Sequence, residues 1–180
     1  MVWWPLIYKY NVQSFHHKVR RNFVSFCHCI NTLLLTYSNV NPYFILMSSS
    51  SYFIWDIWYI WTQSRPVEWF NLLHHAMAVI SLAIPRIVSL KHYLLTLMEI
   101  SNVPTYIVYD LIKSNKDSKT MRIVQFIWFG YFRTVKIPQF VYQNWYNYDT
   151  NVIEKFIMIS LVVMGYIWTF VMAKKLNSME

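Results

Sequence analysis

Polar side chains that could do chemistry stand at a few positions within long apolar stretches of the sequence. Asp56 follows a run of aromatic residues, and His74 and His75 stand together at the start of the next apolar stretch. A carboxylate beside an imidazole fixes the imidazole tautomer and raises its basicity, as a general base or an acyl-accepting nitrogen requires. Asp56, His74 and His75 are therefore the predicted catalytic residues, with buried hydrogen bonding alone as the alternative role.

A second polar group follows further along the chain. Glu99 and Asn102 stand three positions apart, and so do Arg133 and Lys136. Residues three apart share one face of an α-helix. Because an uncompensated charge in lipid is far costlier, Glu99 is expected to pair with Arg133 or Lys136. The predicted ligand-binding residues are Glu99, Ser101, Asn102 and Arg133.

The histidines and cysteines do not predict a metal site. None of the 6 histidines belongs to a pair spaced four apart or to a His-x-x-His pattern. Cys27 and Cys29 flank His28, and this alternation cannot by itself supply four zinc ligands. The prediction is a protein with no metal and no cofactor.

The composition indicates which elements must position these side chains. Hydrophobic residues make up 56% of the 180 residues and charged residues 13%, whereas about 45–50% and about 25% are usual in soluble domains. The net charge of +8 comes from basic residues in short stretches between apolar runs. That arrangement is typical of the loops of a membrane protein and provides no continuous basic face for nucleic acid.

Six segments are long and apolar enough to be membrane-spanning helices, each of about 20 residues. We predict an all-α polytopic bundle of about six transmembrane helices, with a juxtamembrane segment at residues 1–21, a transmembrane domain at 22–173 and a tail at 174–180. The predicted helices are residues 22–37 (extendable to 40), 43–61, 72–90, 93–112, 122–142 and 152–173.

The distribution of basic residues orients this bundle, because Lys and Arg in short loops stay on the cytoplasmic side. With the N-terminus inside, 11 basic residues fall in the inner segments and 3 in the outer ones. Both termini are therefore predicted to be cytoplasmic. Four or five spans, with residues 22–37 as an interfacial segment, remain the alternative.

Several motifs occur in an order that resembles a known family. An aromatic helix holds Asp56 (residues 52–59), His74-His75 opens the next helix, and residues 99–104 lie in the one after. This order is similar to that of the TLC domain, which ceramide synthases, translocation-associated membrane proteins and short TLC-domain-containing proteins share. The resemblance covers roughly residues 20–173, and residues 133–138 also resemble the family's fifth helix.

The resemblance implies a helical bundle that handles lipid in the endoplasmic reticulum or a related endomembrane. If the source is a virus, the membrane is the host's. Ceramide synthases place paired histidines in a catalytic cavity reached by acyl-CoA, which carries over to His74 and His75. They also have His-Asp-x-Ser-Asp on the next helix, where this chain reads Met-Glu-Ile-Ser-Asn over residues 98–102. That departure resembles the short branch of the family rather than its ceramide synthases.

Three functions are therefore open. The leading hypothesis is a membrane protein that binds, senses or traffics lipid related to sphingolipids or acyl lipids. The second is an N-acyltransferase of the ceramide-synthase type, with acyl-CoA as its substrate. The third is a structural or assembly protein whose buried charges only pair helices. The expected partners are membrane lipids, with a homo-oligomer left open.

Overall fold

The computed structural model describes residues 3–10, 17–64, 66–84, 88–145 and 152–178. Of these residues 90% are helical and none forms a strand, which confirms the all-α prediction. The elements are α1 (Trp3–Tyr10), α2 (His17–Tyr37), α3 (Pro42–Gln63), α4 (Trp69–Ala83), α5 (Val88–Lys113), α6 (Lys119–Gly130), a π-helical segment (Tyr131–Lys136), α7 (Ile137–Trp145) and α8 (Val152–Asn177).

The chain divides into two compact units. The first is Met1–Tyr93, which holds α1 to α4 and the start of α5. The second is Leu94–Glu180, which holds the rest of α5 and the elements that follow it.

The turn between α2 and α3 is determined by local side-chain chemistry. Asn39 has a left-handed φ of 53°, which asparagine tolerates better than most residues, and it ends α2. The Asn41 side chain accepts a hydrogen bond of 3.0 Å from the Tyr43 backbone N–H, and Pro42 provides the first residue of α3. The predicted end of α2 at residue 37 and start of α3 at residue 43 are therefore confirmed to within one residue, because the signals that set them are local, whereas α2 begins at His17 rather than at the predicted residue 22.

The prediction of one helix over residues 72–90 is wrong at its end. Helix α4 stops at Ala83, and Ile84 is extended with φ −77° and ψ 116°. The physical reason lies in Pro85, because the helical region is disfavoured for a residue that precedes proline. Residues 88–90 instead begin α5, which starts at Val88 rather than at the predicted residue 93.

Two basic residues that contributed to the predicted orientation lie outside the described residues. They are Arg65, assigned to an inner loop, and Arg86, assigned to an outer loop.

The helix predicted over residues 122–142 runs through α6, the π-helical segment and α7 without a break. Within it the Ile137 N–H bonds to the carbonyl of Phe132, five residues earlier. Pro138 has no N–H to donate, and in a regular helix its ring would clash with the carbonyl four residues back. A single π-helical turn ahead of the proline relieves that conflict while the helix continues.

A helix lies toward each end of the chain. Helix α1 lies in the segment predicted only as juxtamembrane, and it packs Trp4 into the first unit, where this side chain is buried. Helix α8 has 26 residues and a mean hydropathy of 2.2 over its best window, so it is long and apolar enough to cross a membrane. It alone passes that test of length and hydropathy among the described helices, and α4 is apolar but has only 15 residues.

Candidate functional site

Asp56 is the centre of a polar cluster in the first unit. It lies on α3 with its side chain fully buried. Arg21, on α2, donates from Nε to Oδ1 at 2.7 Å and from Nη2 to Oδ2 at 2.8 Å. Two parallel bonds between a guanidinium and a carboxylate form one of the strongest polar contacts in proteins. Arg21 therefore compensates a charge that would otherwise be very costly to bury.

His75 makes the third contact to this carboxylate. Its Nδ1 lies 2.8 Å from Asp56 Oδ2, at ion-pair distance but without the alignment of a good hydrogen bond. With Nδ1 directed at a carboxylate, the proton is assigned to Nδ1 and Nε2 is the nitrogen left to accept one. Asp56 thus orients His75 as a base would need to be oriented.

His74 is buried beside His75, and the two ring centres are 5.3 Å apart. Neighbouring side chains on a helix point about 100° apart, so the two imidazoles face different directions. The structure therefore places His75 in direct contact with Asp56 and His74 next to that pair.

Glu68 extends the cluster toward its partly exposed rim. It accepts hydrogen bonds of 2.8 Å from Arg21 Nη1 and from the Asn71 side chain, and Lys18 Nζ lies 3.8 Å away. Burial acts to raise the pKa of Glu68, but the hydrogen bond and charge of Arg21 outweigh it, so that this pKa lies below its ordinary value. Arg21 therefore links α2 both to α3 and to the segment that leads into α4.

An aromatic wall lines one side of the cluster. His28 is fully buried and stacks on Tyr52, with ring centres 4.0 Å apart and planes 10° apart. The Tyr52 hydroxyl donates to Ser25 Oγ at 2.7 Å, and the Phe53 ring lies 5.1 Å from that of His75. These contacts hold α2 and α3 together next to Asp56.

The sequence did not single out Arg21, Ser25, His28 or Tyr52 as site residues. A signal was present in α2, because Arg21, Ser25 and His28 are spaced four and three residues apart and share one face. A polar stripe on an otherwise apolar helix indicates the side that meets polar partners.

The second polar cluster surrounds Arg133 in the second unit. Arg133 belongs to the π-helical segment and is only 1% exposed. Its Nε donates to Ser101 Oγ at 2.8 Å, and its Nη2 donates to Asn102 Oδ1 at 3.0 Å and to the Met98 carbonyl at 3.5 Å. Three of the four predicted ligand-binding residues are thus in direct contact with one another.

Aromatic faces and one carboxylate complete the surroundings of Arg133. The guanidinium carbon lies 5.1 Å from the centre of the Phe129 ring and 5.6 Å from that of Trp168. Glu99 is buried and interacts with Arg133 electrostatically. Lys136 is the other predicted partner of Glu99, and its Nζ lies 5.5 Å from the centre of the Tyr131 ring.

The predicted site residues therefore form two clusters, with Asp56, His74 and His75 in one unit and Glu99, Ser101, Asn102 and Arg133 in the other. Nowhere in the described ranges do three His, Cys, Asp or Glu side chains form a group that could hold a metal ion.

The described residues form an all-helical fold with one apolar helix long enough to span a bilayer and with buried charges compensated between helices. The model of the TLC domain matches residues 1–174 of the chain. The protein therefore belongs to the TLC-domain family, whose members are generally membrane proteins linked to lipid metabolism. No curated protein and no solved structure matches the chain significantly.

Proposed function

We propose that this TLC-domain protein is a multi-pass membrane protein that binds the polar head of a membrane lipid at the cluster around Asp56. The observation that carries the proposal is the Arg21–Asp56–His75 contact, in which a fully buried carboxylate is held by two cationic or basic groups. The side chains of Arg21 and His75 keep 16% and 14% of their surface exposed. A polar ligand can therefore reach the rim of a cluster whose centre is sealed.

The electrostatics of the rim favour a head group with an acceptor oxygen. Lys18 and Arg21 both face this edge, and Glu68 compensates only part of their charge. His75 Nε2 and the neighbouring His74 add groups that bind either a hydroxyl or an anionic oxygen. The cluster suits the polar end of a sphingolipid or acyl lipid, while the apolar surface of the helices suits its chains.

The proposed membrane arrangement follows from the sequence. Six spans with both termini in the cytoplasm place the cluster near the inner surface, in the endoplasmic reticulum or a related endomembrane. The many large apolar side chains exposed on α3 and α8, among them Trp58, Trp61 and Phe170, support a surface in contact with lipid.

Mass spectrometry of lipids that co-purify with the protein tests this function. The double variant His74→Ala, His75→Ala should lose the bound lipid and change the lipid profile of the cells that express it. His92→Ala is the matched control, because His92 contacts Thr36 at 2.9 Å and is not part of the cluster. Wild-type protein that carries no lipid above background, with cellular profiles unaffected by the double variant, would refute the proposal.

Acyl transfer is a second candidate, favoured by the contact between His75 and Asp56. In that reaction His75 Nε2 would take a proton from a substrate amine while the nitrogen of that amine attacks the thioester carbon of an acyl-CoA. The new amide C–N bond forms, the C–S bond breaks, and the proton passes to the leaving thiolate. Membranes incubated with a sphingoid base and acyl-CoA would yield the amide, and its absence above the vector control eliminates this candidate.

The cluster around Arg133 has a different proposed role. Arg133 is sealed from solvent, and its partners come from α5, α6 and α8. Its role is to hold these helices of the second unit in register. Arg133→Met, which removes the donors to Ser101 and Asn102, would reduce expression of the protein if this role is right, and unchanged expression would contradict it.

A further inference from the structure

A groove of about 520 Å³ lies between α1, α2 and α3 in the first unit, on a different face of α3 from Asp56. Trp4 and Ile7 of α1 cover it, and Leu35, Phe44 and Met47 provide much of its apolar wall. None of its nine lining residues carries a charge. Both its volume and its apolar lining with a few polar groups are those of a small-molecule site.

The polar groups in this α1 groove already bond to one another. Trp4 Nε1 donates to Ser51 Oγ at 3.2 Å, and the Asn31 amide donates to Ser48 Oγ at 3.5 Å. A hydrophilic ligand would lose its water and gain few new hydrogen bonds here. An apolar ligand has no hydrogen bonds to water to give up on entering, so the groove favours hydrocarbon.

The ends of the α1 groove limit the shape of its occupant. Phe44 and Met47 are exposed at one end, which leaves a lateral opening. At the other, the Trp4 ring packs against His28 and Tyr52 with ring centres 5.5 Å and 5.6 Å apart. A partner helix, about 10–12 Å wide, does not fit beneath α1.

We infer that the α1 groove binds one hydrocarbon chain of a membrane lipid, held between α1 and the hairpin of α2 and α3. The inference rests on the proposed lipid function for the source of the chain. Two of the three helices that form the groove, α2 and α3, are predicted spans, so lipid hydrocarbon is available beside it. Trp4 then closes the groove and separates the chain from the aromatic wall beside Asp56.

Photo-cross-linking tests the α1 groove directly. Membranes that contain the full chain are loaded with a photoactivatable hexadecanoic acid, and the cross-linked peptides are sequenced. The label should fall on residues of α2 and α3 that line the groove. Ser48→Phe fills the groove and should reduce this label about tenfold. Ile54→Phe adds the same ring at an exposed position of α3 and should leave the label unchanged.

Equal labelling of wild-type and Ser48→Phe protein would show that the label comes only from the surrounding bilayer and not from a chain bound in the groove. That result would overturn the inference. Loss of label in Ser48→Phe but not in the double variant His74→Ala, His75→Ala supports the groove independently of the Asp56 cluster. If the histidine variants retain the label in the groove and leave the cellular lipid profiles unchanged, the proposed function is refuted and the inference about the groove is not.

Cys27 provides a second measurement that needs no substitution. It lines the α1 groove and is half-buried, whereas Cys29 is fully buried and acts as an internal reference. Hexadecanoic acid should slow alkylation of Cys27 by N-ethylmaleimide and leave that of Cys29 unaffected. Unchanged alkylation of Cys27 at saturating hexadecanoic acid would overturn the inference even if Ser48→Phe does not fold.

Discussion

Asp56 and Arg133 are both fully buried charges, but one is surrounded by opposite charge and the other chiefly by neutral groups. Arg21 holds Asp56 through two bonds, and His75 contacts it as well. Arg133 instead bonds a hydroxyl and an amide and faces two aromatic rings, with Glu99 as its electrostatic counterpart.

The difference follows from the chemistry of the two groups. A carboxylate concentrates its charge on two oxygens and needs strong donors, which a guanidinium provides in the matching geometry. A guanidinium spreads its charge over a plane, so hydroxyl, amide and carbonyl oxygens at its edge and aromatic faces above it can stabilise it. The first arrangement leaves reactive groups at a partly exposed rim, and the second is closed. The first cluster therefore suits ligand contact and the second suits helix packing.

The largest effect is expected at the charged pair. Asp56→Asn keeps the shape but leaves Arg21 without its buried counter-charge, which should reduce the free energy of unfolding by about 3–5 kcal/mol. Thermal unfolding in detergent measures this change. Asp117→Asn is the matched control, because that ion pair with Arg122 is on the surface and contributes little. An Asp56→Asn protein as stable as the control would contradict the buried ion pair.

A smaller loss is expected where the partner is neutral. Ser101→Ala removes the acceptor of the Arg133 Nε bond and should cost about 1.5–3 kcal/mol, the range for a hydrogen bond to a charged group. Ser160→Ala is the control, because its hydroxyl bonds only the Phe156 carbonyl of its own helix. If Ser101→Ala destabilised the protein more than Asp56→Asn does, the order inferred from the two clusters would be wrong.

The close approach of α8 to Arg133 provides a third test. A Cβ at Gly165 would lie 3.1 Å from the Arg133 carbonyl oxygen and 3.2 Å from its Cβ, whereas a Cβ at Gly130 would meet a Thr169 methyl at 3.4 Å. Gly165→Ala should therefore destabilise the protein by about 1–3 kcal/mol through overpacking. Gly130→Ala should be neutral or stabilising, because alanine favours the helix. Similar unfolding temperatures for the two variants would argue against this close contact.

The smallest effect is expected on the pH dependence of stability, through Glu68. The pKa of Glu68 is lower in the folded protein than its ordinary value of 4.5. The stabilisation that ionised Glu68 contributes to the folded protein is therefore complete above pH 4.5 and is lost as the pH falls through the lower folded-state pKa. Glu68→Gln should reduce the unfolding temperature at neutral pH, and the difference from wild type should shrink on acidification. A difference that stayed constant from neutral pH to pH about 3 would show that Glu68 makes no such contribution.

Much of the fold follows from local sequence signals. The Asn39 and Asn41 turn, the apolar run of α8 and the polar loop before α6 each determine a helix boundary within a few residues. The error at residues 72–90 came from reading hydropathy through Pro85, although helices usually end at or before the residue that precedes a proline. Helix α1 was not predicted because eight residues carry too little periodicity, and its position depends on where Trp4 can be buried.

The candidate site was predicted in part. Buried ionisable residues stand out in an apolar sequence, so Asp56, His75 and Arg133 were identified from composition and position alone. Their partners were harder to find. Arg21 was counted only among the basic residues that orient the bundle. Glu99 was expected to pair with Arg133 or Lys136, and the hydrogen bonds of Arg133 to Ser101 and Asn102 were not predicted.

The sequence by itself determined the class of the protein, the ends of most of its helices and the charges that need compensation, because these depend on apolar content and on neighbours along the chain. Only the tertiary structure decided which groups compensate them. Arg21 reaches Asp56 across 35 positions, and Arg133 reaches Ser101 across 32. Such partners are selected by the rotation of each helix about its axis, which packing determines and a single sequence does not encode locally.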